Sequence, residues 1–446
     1  MKDRRRKRML IGTSNAKRAV MAILLGTAMT HMAFAGPLIP DWSVTYTGVE
    51  LAEGWGVAVD ADGVYATGRT WLSGGDDDMF VVRRGFDGSP VWDRQWGYSG
   101  YWDRGWRLTL NASHVYVAGD SQWSSSHGAL TFKYTKSGTL DTSNSPQGWW
   151  TRYFPGGYDY ANSVAVDANG NMYTGGNYER ATNNWWSYVQ KYNSSGVLQW
   201  HREYGNPGDG IQWRSGRMTM SGDNLYSTAR SNASGENQVV AAKCRSDGTA
   251  GWQTQWGSTS RDEWGRDIAA SDSDLYVTGS AGGDVLLLKL HDDGTSVSVL
   301  GSTVFAGAGD EVGNSVAVAN GEVYIAGSTL VAGNRDALLL VYDTDLNLLQ
   351  SLTWGGTGDD TANDVTVYDG KVYVAGMVNN QAFINAYGPD DDGDGVVNSV
   401  DNCPTVYNPN QSNIDGDAFG DACDPCPFDP SNTIVNGQCI PTLTEW

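Results

Sequence analysis

The chain reads as an all-β protein: a seven-bladed β-propeller closed by an N-terminal strand, followed by a small irregular segment stabilised by calcium and disulfides. Three observations lead there. A unit of about 50 residues recurs seven times between Trp42 and Gly388. One tyrosine marks each copy (Tyr65, Tyr116, Tyr173, Tyr226, Tyr276, Tyr324 and Tyr373), at separations of 51, 57, 53, 50, 48 and 49 residues. Residues 389–446 hold eleven Asp/Glu and no Lys or Arg, spaced as metal ligands are.

The clearest copies are SVAVDANGNMYTGGNY (163–178), SVAVANGEVYIAGSTL (315–330) and DVTVYDGKVYVAGMVN (364–379). Short alternating strands separated by Gly, Asp and Asn turns suit a four-stranded blade. In the third copy the pattern predicts strand A at Ser163–Asp167, B at Met172–Gly175, C at Trp186–Tyr192 and D at Val197–Tyr204. Period-two alternation puts Val164 and Val166 on one face and Ala165 on the other. The seventh copy supplies A (Asp364–Tyr368), B (Lys371–Gly376) and C (Ala382–Tyr387) but no D strand. Trp42–Gly48, WSVTYTG, is similar to the D strands at 92–97 and 252–257 and is expected to complete the last blade.

These copies resemble the bacterial β-propeller repeat family of secreted and surface proteins, on the runs at Gly356–Val367 and Gly156–Gly176. The resemblance covers most of 42–388, with copies two and four degenerate, and implies a fold and an extracellular setting but no common activity. Gly88/Trp92, Gly196/Trp200 and Gly248/Trp252 also share the Gly-x-x-x-Trp docking spacing of pyrroloquinoline-quinone enzymes. No adjacent cysteine pair or recognisable quinone site accompanies them, so these tryptophans are expected to pack blade against blade.

Residues 1–35 read as a signal peptide. Lys2–Arg8 and Lys17–Arg18 form a basic region, Ala19–Ala33 is apolar, and Ala33-Phe34-Ala35 offers a small-x-small cleavage site. The arginine cluster leaves a twin-arginine route open. Without that segment the chain carries 22 basic and 50 acidic residues, a net charge of −28. Such a surface repels phosphate backbones and anionic lipid, which argues against nucleic acid as a partner. Residues 36–388 are expected to form the propeller, as a monomer.

In 389–425 the spacing is that of calcium loops. Asp390, Asp392, Asp394, Asn398 and Asp401 occupy positions 1, 3, 5, 9 and 12 of a loop, with Gly395 at 6 and the carbonyl of Val396 at 7. A second loop places Asn413, Asp415, Asp417, Asp421 and Asp424 at the same positions, with Phe419 at 7 and Ala418 where glycine is expected. Alternating carboxylates around a sharp turn can supply the six to eight oxygens that Ca²⁺ takes. An acidic, unstructured linker is the plain alternative. The whole run 390–424, with its Asp401-Asn402-Cys403-Pro404 sequence, closely resembles thrombospondin type 3 repeats, with Asn398 replacing an aspartate. That resemblance implies a chain wrapped around structural calcium and pairs Cys403 with Cys423, leaving Cys426 with Cys439. Cysteines concentrated in a coreless segment agree with an oxidising compartment. Cys423 and Cys426 have CxxC spacing, but no nearby histidine supports zinc and no thioredoxin-like pattern surrounds them. Cys244, in the fourth copy, is expected to be a buried free thiol.

The tail 426–446 ends in IPTLTEW (440–446), which resembles the opening of a bacterial C-terminal sorting signal and would imply surface attachment in a Gram-negative bacterium. The hydrophobic helix and basic tail of such a signal do not follow, so truncation or release are both open.

No HExxH, G-x-S-x-G or P-loop occurs. Asp159, Asp262, Asp310 and Asp359 each precede their blade's tyrosine by 14 residues, a register that points to blade turns rather than catalysis. Trp149, Trp150, Trp185, Trp186 and Trp213 break the repeat and are the tryptophans to watch for sugar binding. The expected function is a non-enzymatic recognition or adhesion head for an extracellular protein or glycan, on a calcium-stiffened stalk. The alternative is a secreted propeller enzyme acting on polysaccharide.

Overall fold

The computed structural model describes residues 36–46, 51–72, 76–98, 100–123, 126–143, 149–150, 158–181, 184–204, 214–231, 236–258, 260–307, 309–435 and 438–439. The leader reading (1–35), the sorting-type motif (440–446) and Trp213 lie outside them. Seven four-stranded antiparallel sheets make a seven-bladed propeller. Blade 1 runs A Leu51–Asp60, B Gly63–Leu72, C Asp76–Arg84 and D Pro90–Trp96. Blades 2 to 6 repeat this order, with inner A strands Asp103–Leu110, Asp159–Val166, Arg214–Ser221, Glu263–Ser271 and Val312–Ala319. Blade 7 has A Thr361–Tyr368, B Lys371–Val378 and C Gln381–Pro389, and its D strand is Leu38–Tyr46 from the other end of the chain.

The closing strand starts four residues before the expected Trp42. It pairs Leu38 with Pro389 and Tyr46 with Ala382, taking a bulge between Pro40 and Trp42. The bulge leaves Asp41 out of register, and its carboxylate accepts from Lys371 at 2.6 Å. Gln350, on strand D of blade 6 (Leu348–Trp354), pins the strand further: its side chain accepts from Leu38 N at 2.9 Å and donates to Leu38 O at 2.9 Å. In blade 3 the strands match the expected ones but extend further, A to Asp159, B to Ala181 and C to Asn184. The expected alternation of strand A holds: Val164 and Val166 pack into one core and Ala165 into the core on the other face. Val164 and Ala165 are both buried, because an inner strand is covered on each face by a neighbouring blade.

The seven marker tyrosines are all buried, at 0–3% exposure, and sit on the B strands between consecutive blades. The expected packing of tryptophans against blades is present, but each partner glycine comes from the next blade. Trp42, Trp92 and Trp200, on D strands, cover Gly88, Gly138 and Gly248 in the C–D turn of the following blade. Each indole donates to a carbonyl two residues before that glycine: Phe86 (2.6 Å), Lys136 (2.9 Å) and Ser246 (3.1 Å). These glycines have φ of +79°, +81° and +86°, so turn geometry and contact both exclude a side chain. Trp252 departs from the pattern and donates to the Asp292 carboxylate at 2.7 Å.

A second repeated device ties the turns between blades. Asp103, Glu263 and Glu311 are buried and accept backbone N–H groups from Tyr98 (2.7 Å), Ser258 (3.1 Å) and Gly307 (2.9 Å). Asp360 does the same for Gly356. In strand register Asp159 belongs with these residues, not with Asp262, Asp310 and Asp359. Its count of 14 reflects a longer A–B hairpin. The turn-anchoring role expected of the repeated acids is therefore shared: Asp262 and Asp359 accept from Asn237 N and Arg335 N at 3.0 Å, and the residue after each anchors the turn between blades.

Two predictions follow from these contacts. Trp92→Ala is expected to cost about 3 kcal/mol and Gly138→Ala at least about 1 kcal/mol, with the double variant well short of their sum, in a double-mutant cycle by urea unfolding. Burial pushes the Asp103 carboxyl up to about 6. The unfolded chain then ionises first, so stability should fall by about 2–3 kcal/mol as pH rises from about 4 to 6. Asp103→Asn, which keeps the acceptor for Tyr98, should flatten that fall in melts across the same pH range.

Candidate functional site

Every A strand carries a β-bulge at the same register. It lies between Gly54 and Gly56 in blade 1, Gly105 and Arg107 in blade 2, Ala161 and Ser163 in blade 3, and Ser215 and Met218 in blade 4. It recurs between Gly265 and Asp267, Gly313 and Ser315, and Ala362 and Asp364. A bulge inserts a residue that the ladder does not pair and re-aims its side chain. Here those residues are Trp55, Trp106, Asn162, Arg217, Arg266, Asn314 and Asn363, and all seven line one cavity of about 640 Å³ at the mouth of the ring. Residues two positions earlier, Glu53, Arg104, Tyr160 and Trp264, complete its wall with Arg230 from strand B of blade 4. A small residue precedes each bulge because the adjacent blade is close: a Cβ at Gly105 would lie 2.2 Å from Thr67 Oγ1.

The residues just after the bulges close the channel below this cup. Arg107 donates to Asp267 at 2.7 Å and pairs with Asp364. Arg217, itself the bulged residue of blade 4, reaches down to Asp267 at 3.3 Å and donates to the Asn363 carbonyl at 2.7 Å. Ser315 Oγ lies 2.8 Å from Asp267 and 2.7 Å from Asp364. Burial holds both Arg107 and Arg217 below the usual guanidinium range, and their mutual repulsion lowers Arg107 further.

The cup itself is cationic and aromatic. Trp55 and Trp106 stack at 4.3 Å, and Arg230 lies 3.9 Å over the Trp264 ring. Glu53 is engaged by Arg69 at 3.2 Å, and Arg104 reaches Asp77 at 3.4 Å. Among the described residues Arg266 has no carboxylate partner. Its Nη1 donates to Asn314 at 2.9 Å, while its buried Nε has no acceptor. Burial, with Arg217, Arg335 and Arg230 nearby, brings it down to about 10.

None of the cup tryptophans was among those expected. Of the five watched, Trp186 is buried in the core of its blade, and the side chains of Trp149, Trp150, Trp185 and Trp213 lie outside the described residues. The signal was the residue one or two before each S-V-A-V-type run. A strict period-two reading leaves that residue outside the strand.

Three carboxylates of each expected set come together, in two loops whose hydrogen bonds repeat at an offset of 23 residues. Asp390 and Asn413 accept from Gly393 N (2.8 Å) and Gly416 N (2.7 Å). Asp392 and Asp415 accept from Asp394 N and Asp417 N, both at 3.2 Å. Asp394 and Asp417 accept from Val396 N and Phe419 N, Asn398 and Asp421 from Asp391 N and Ile414 N. Asp401 and Asp424 accept from Cys403 N (2.7 Å) and Cys426 N (2.6 Å). After these bonds, one oxygen each of Asp392, Asp401, Asp415 and Asp424 is buried without a partner: positions 3 and 12 of both loops. Carboxylates of Asp390, Asp392 and Asp394 gather within 4.8 Å, as do those of Asp415, Asp417 and Asp424. Burial and the charges of Asp394, Asp401 and Asp390 raise the Asp392 carboxyl. Four buried, orphaned carboxylate oxygens in two converging sets fit a hard divalent cation.

The second loop differs where Ala418 replaces glycine. Gly395 has φ +91° and donates to Asp390 at 2.9 Å, whereas Ala418 has no positive φ and Asn413 instead donates to the Asp417 carbonyl at 2.9 Å. Disulfides Cys403–Cys423 and Cys426–Cys439 brace both loops. The CxxC cysteines thus belong to different bridges, and Cys244 is buried and free. The four histidines among the described residues (His114, His127, His201 and His291) stand apart, each beside its own acid: Asp141, Asp120, Glu203 and Asp274.

No family model matches the chain, and no curated protein matches it in sequence. Among solved structures, Sqt1 from Chaetomium thermophilum aligns over 76% of this chain and 83% of its own at 12% identity, with a TM-score of 0.47. At that level the likeness adds nothing to the sheet order given above.

Truncating one member of the plug should be costly. Arg107→Ala leaves Asp364 and Asp267 short of a buried counter-charge and is expected to cost about 3–5 kcal/mol in urea unfolding.

Proposed function

We propose that this is a secreted or surface-displayed, non-enzymatic recognition protein: a propeller head carried on a segment that two Ca²⁺ ions stiffen. The observation that carries the reading is the pair of loops with orphaned carboxylate oxygens at the same two positions. Asp390, Asp392, Asp394, Asp401 and the Val396 carbonyl would hold one ion, with Asn398 bracing the loop. Asn413, Asp415, Asp417, Asp424 and the Phe419 carbonyl would hold the other, with Asp421 in the Asn398 place. The metal there supplies cross-linking, drawing carboxylates together in a segment with almost no apolar core.

Placement supports a display role. The A strands begin at the cup, and strand C of blade 7 runs antiparallel to its neighbours and ends at Pro389 on the opposite face. The acidic segment therefore leaves the ring on the side away from the mouth. Two disulfides support an oxidising, extracellular setting. The cup's own acid, Glu53, is tied to Arg69, which supports binding over acid–base chemistry on polysaccharide.

Calorimetry on the chain from Gly36 should give two calcium ions bound, falling to one in Asp401→Asn or Asp424→Asn. Melts should rise with calcium in the parent chain and rise less in either variant. Absence of calcium uptake by the parent would sink the reading.

A further inference from the structure

We infer that the cup is a binding site for an acidic saccharide, whose oxyanion is received by Arg266 and whose rings lie against the aromatic wall between Trp264, Trp106 and Tyr160. This deepens the recognition reading by naming the ligand class, and it rests on that reading.

The first support is charge. The whole chain is strongly acidic, at −21, yet Arg104, Arg217, Arg230 and Arg266 converge on one cavity with a single carboxylate, Glu53, already paired. Arg104 and Arg217 have anionic partners of their own, but Arg266 does not, and its Nε is buried without an acceptor. A buried guanidinium with unused donors calls for an oxyanion, which it can grip with two parallel N–H bonds. The second support is shape and surface. About 640 Å³ lies within the range of small-molecule sites and leaves room for a short oligosaccharide. The wall between the cations is aromatic: Trp264, under Arg230 and Arg266, and Trp106, stacked on Trp55, leave at most one face each, with Tyr160, for the C–H surface of a sugar ring. The third is construction: the groups are set on bulges of inner strands, above a sealed plug, so they are held in place before any ligand arrives. Because the rest of the surface repels anions, an acidic glycan would enter end-on, by its terminal residues.

The test is titration of the calcium-saturated chain from Gly36 with trigalacturonate, followed by tryptophan fluorescence and calorimetry. Neutral galactotriose, a sulfated galactose trimer and pentaglutamate are run beside it. The expected result is one trigalacturonate per chain, weakened by rising salt and about tenfold or more weaker for galactotriose. Arg266→Gln should lose about tenfold or more, and Arg266→Lys, which keeps the charge but not the fork, should lose less. Melting curves show whether each variant is folded. Should Arg266→Gln not fold, the salt series and Arg266→Lys still decide the matter. Binding of the sulfated trimer in the same R266-dependent way would support an acidic sugar with sulfate as its anion. Equal affinity for the neutral trimer, preference for pentaglutamate, or uronate binding unchanged in both variants would each overturn the proposal. The last result would indicate bridging at the calcium loops. Two-ion calcium uptake with no saccharide bound would overturn this inference and leave the reading of the preceding subsection standing.

Discussion

A ring of wedge-shaped sheets holds together only where its last blade meets its first, and here one strand pair carries that closure. Leu38–Tyr46 lies on Gln381–Pro389 through eight paired positions, and Trp42 from the same strand covers Gly88 of the first blade. The closing strand thus satisfies the backbone groups of one edge and makes the same indole-on-glycine contact that joins blades 1 to 2 and 3 to 4. The other contacts in the ring are repeats of a local solution. This seam joins residues more than 300 positions apart, as do the Val57–Asp364 and Gly54–Asn363 bonds between the inner strands of the same two blades.

The repeat also separates what is constant from what is free to vary. Buried tyrosines, turn acids and small residues before each bulge recur because neighbouring blades press on the same places. The bulged residue faces the axis and meets other blades through its side chain, and it differs from copy to copy: tryptophan twice, arginine twice, asparagine three times. One backbone irregularity, used seven times, builds the whole mouth of the ring. The layer beneath follows the same logic, with Arg107, Asp267, Ser315 and Asp364 filling a channel that seven small residues would have left open.

How much of this could be read in advance depends on the range of the interaction. Blade number, turns and the spacing of the acidic loops are local patterns, so marker tyrosines and alternating aspartates disclose them. The two loops kept their register through 23 residues because each carboxylate bonds to backbone within a few positions of itself. Bulges are different. They arise from two strands that disagree by one residue, so a period-two pattern cannot register them, and the cup residues looked like connectors. The tryptophans pack blade against blade as expected, but their glycine partners are not legible for a related reason: the Gly-x-x-x-Trp spacing lies within one copy, while the contact lies between two. The extra residue in the hairpin at Ala168–Asn171 likewise gave Asp159 the wrong companions.

The point where the acidic segment leaves the ring has a mechanical consequence. Asp390 N–H donates to the Pro37 carbonyl at 3.1 Å, and a side chain at Gly36 would meet Asp390, so the first residue of the first loop sits against the start of the closing strand. Tension along the C-terminal segment enters through Pro389 and runs parallel to that strand pair. The inter-strand bonds lie across this direction, so they are loaded together in shear rather than opened one after another like a zip. The seam that completes the ring is therefore also the seam that would take a pull on the C-terminal segment in shear.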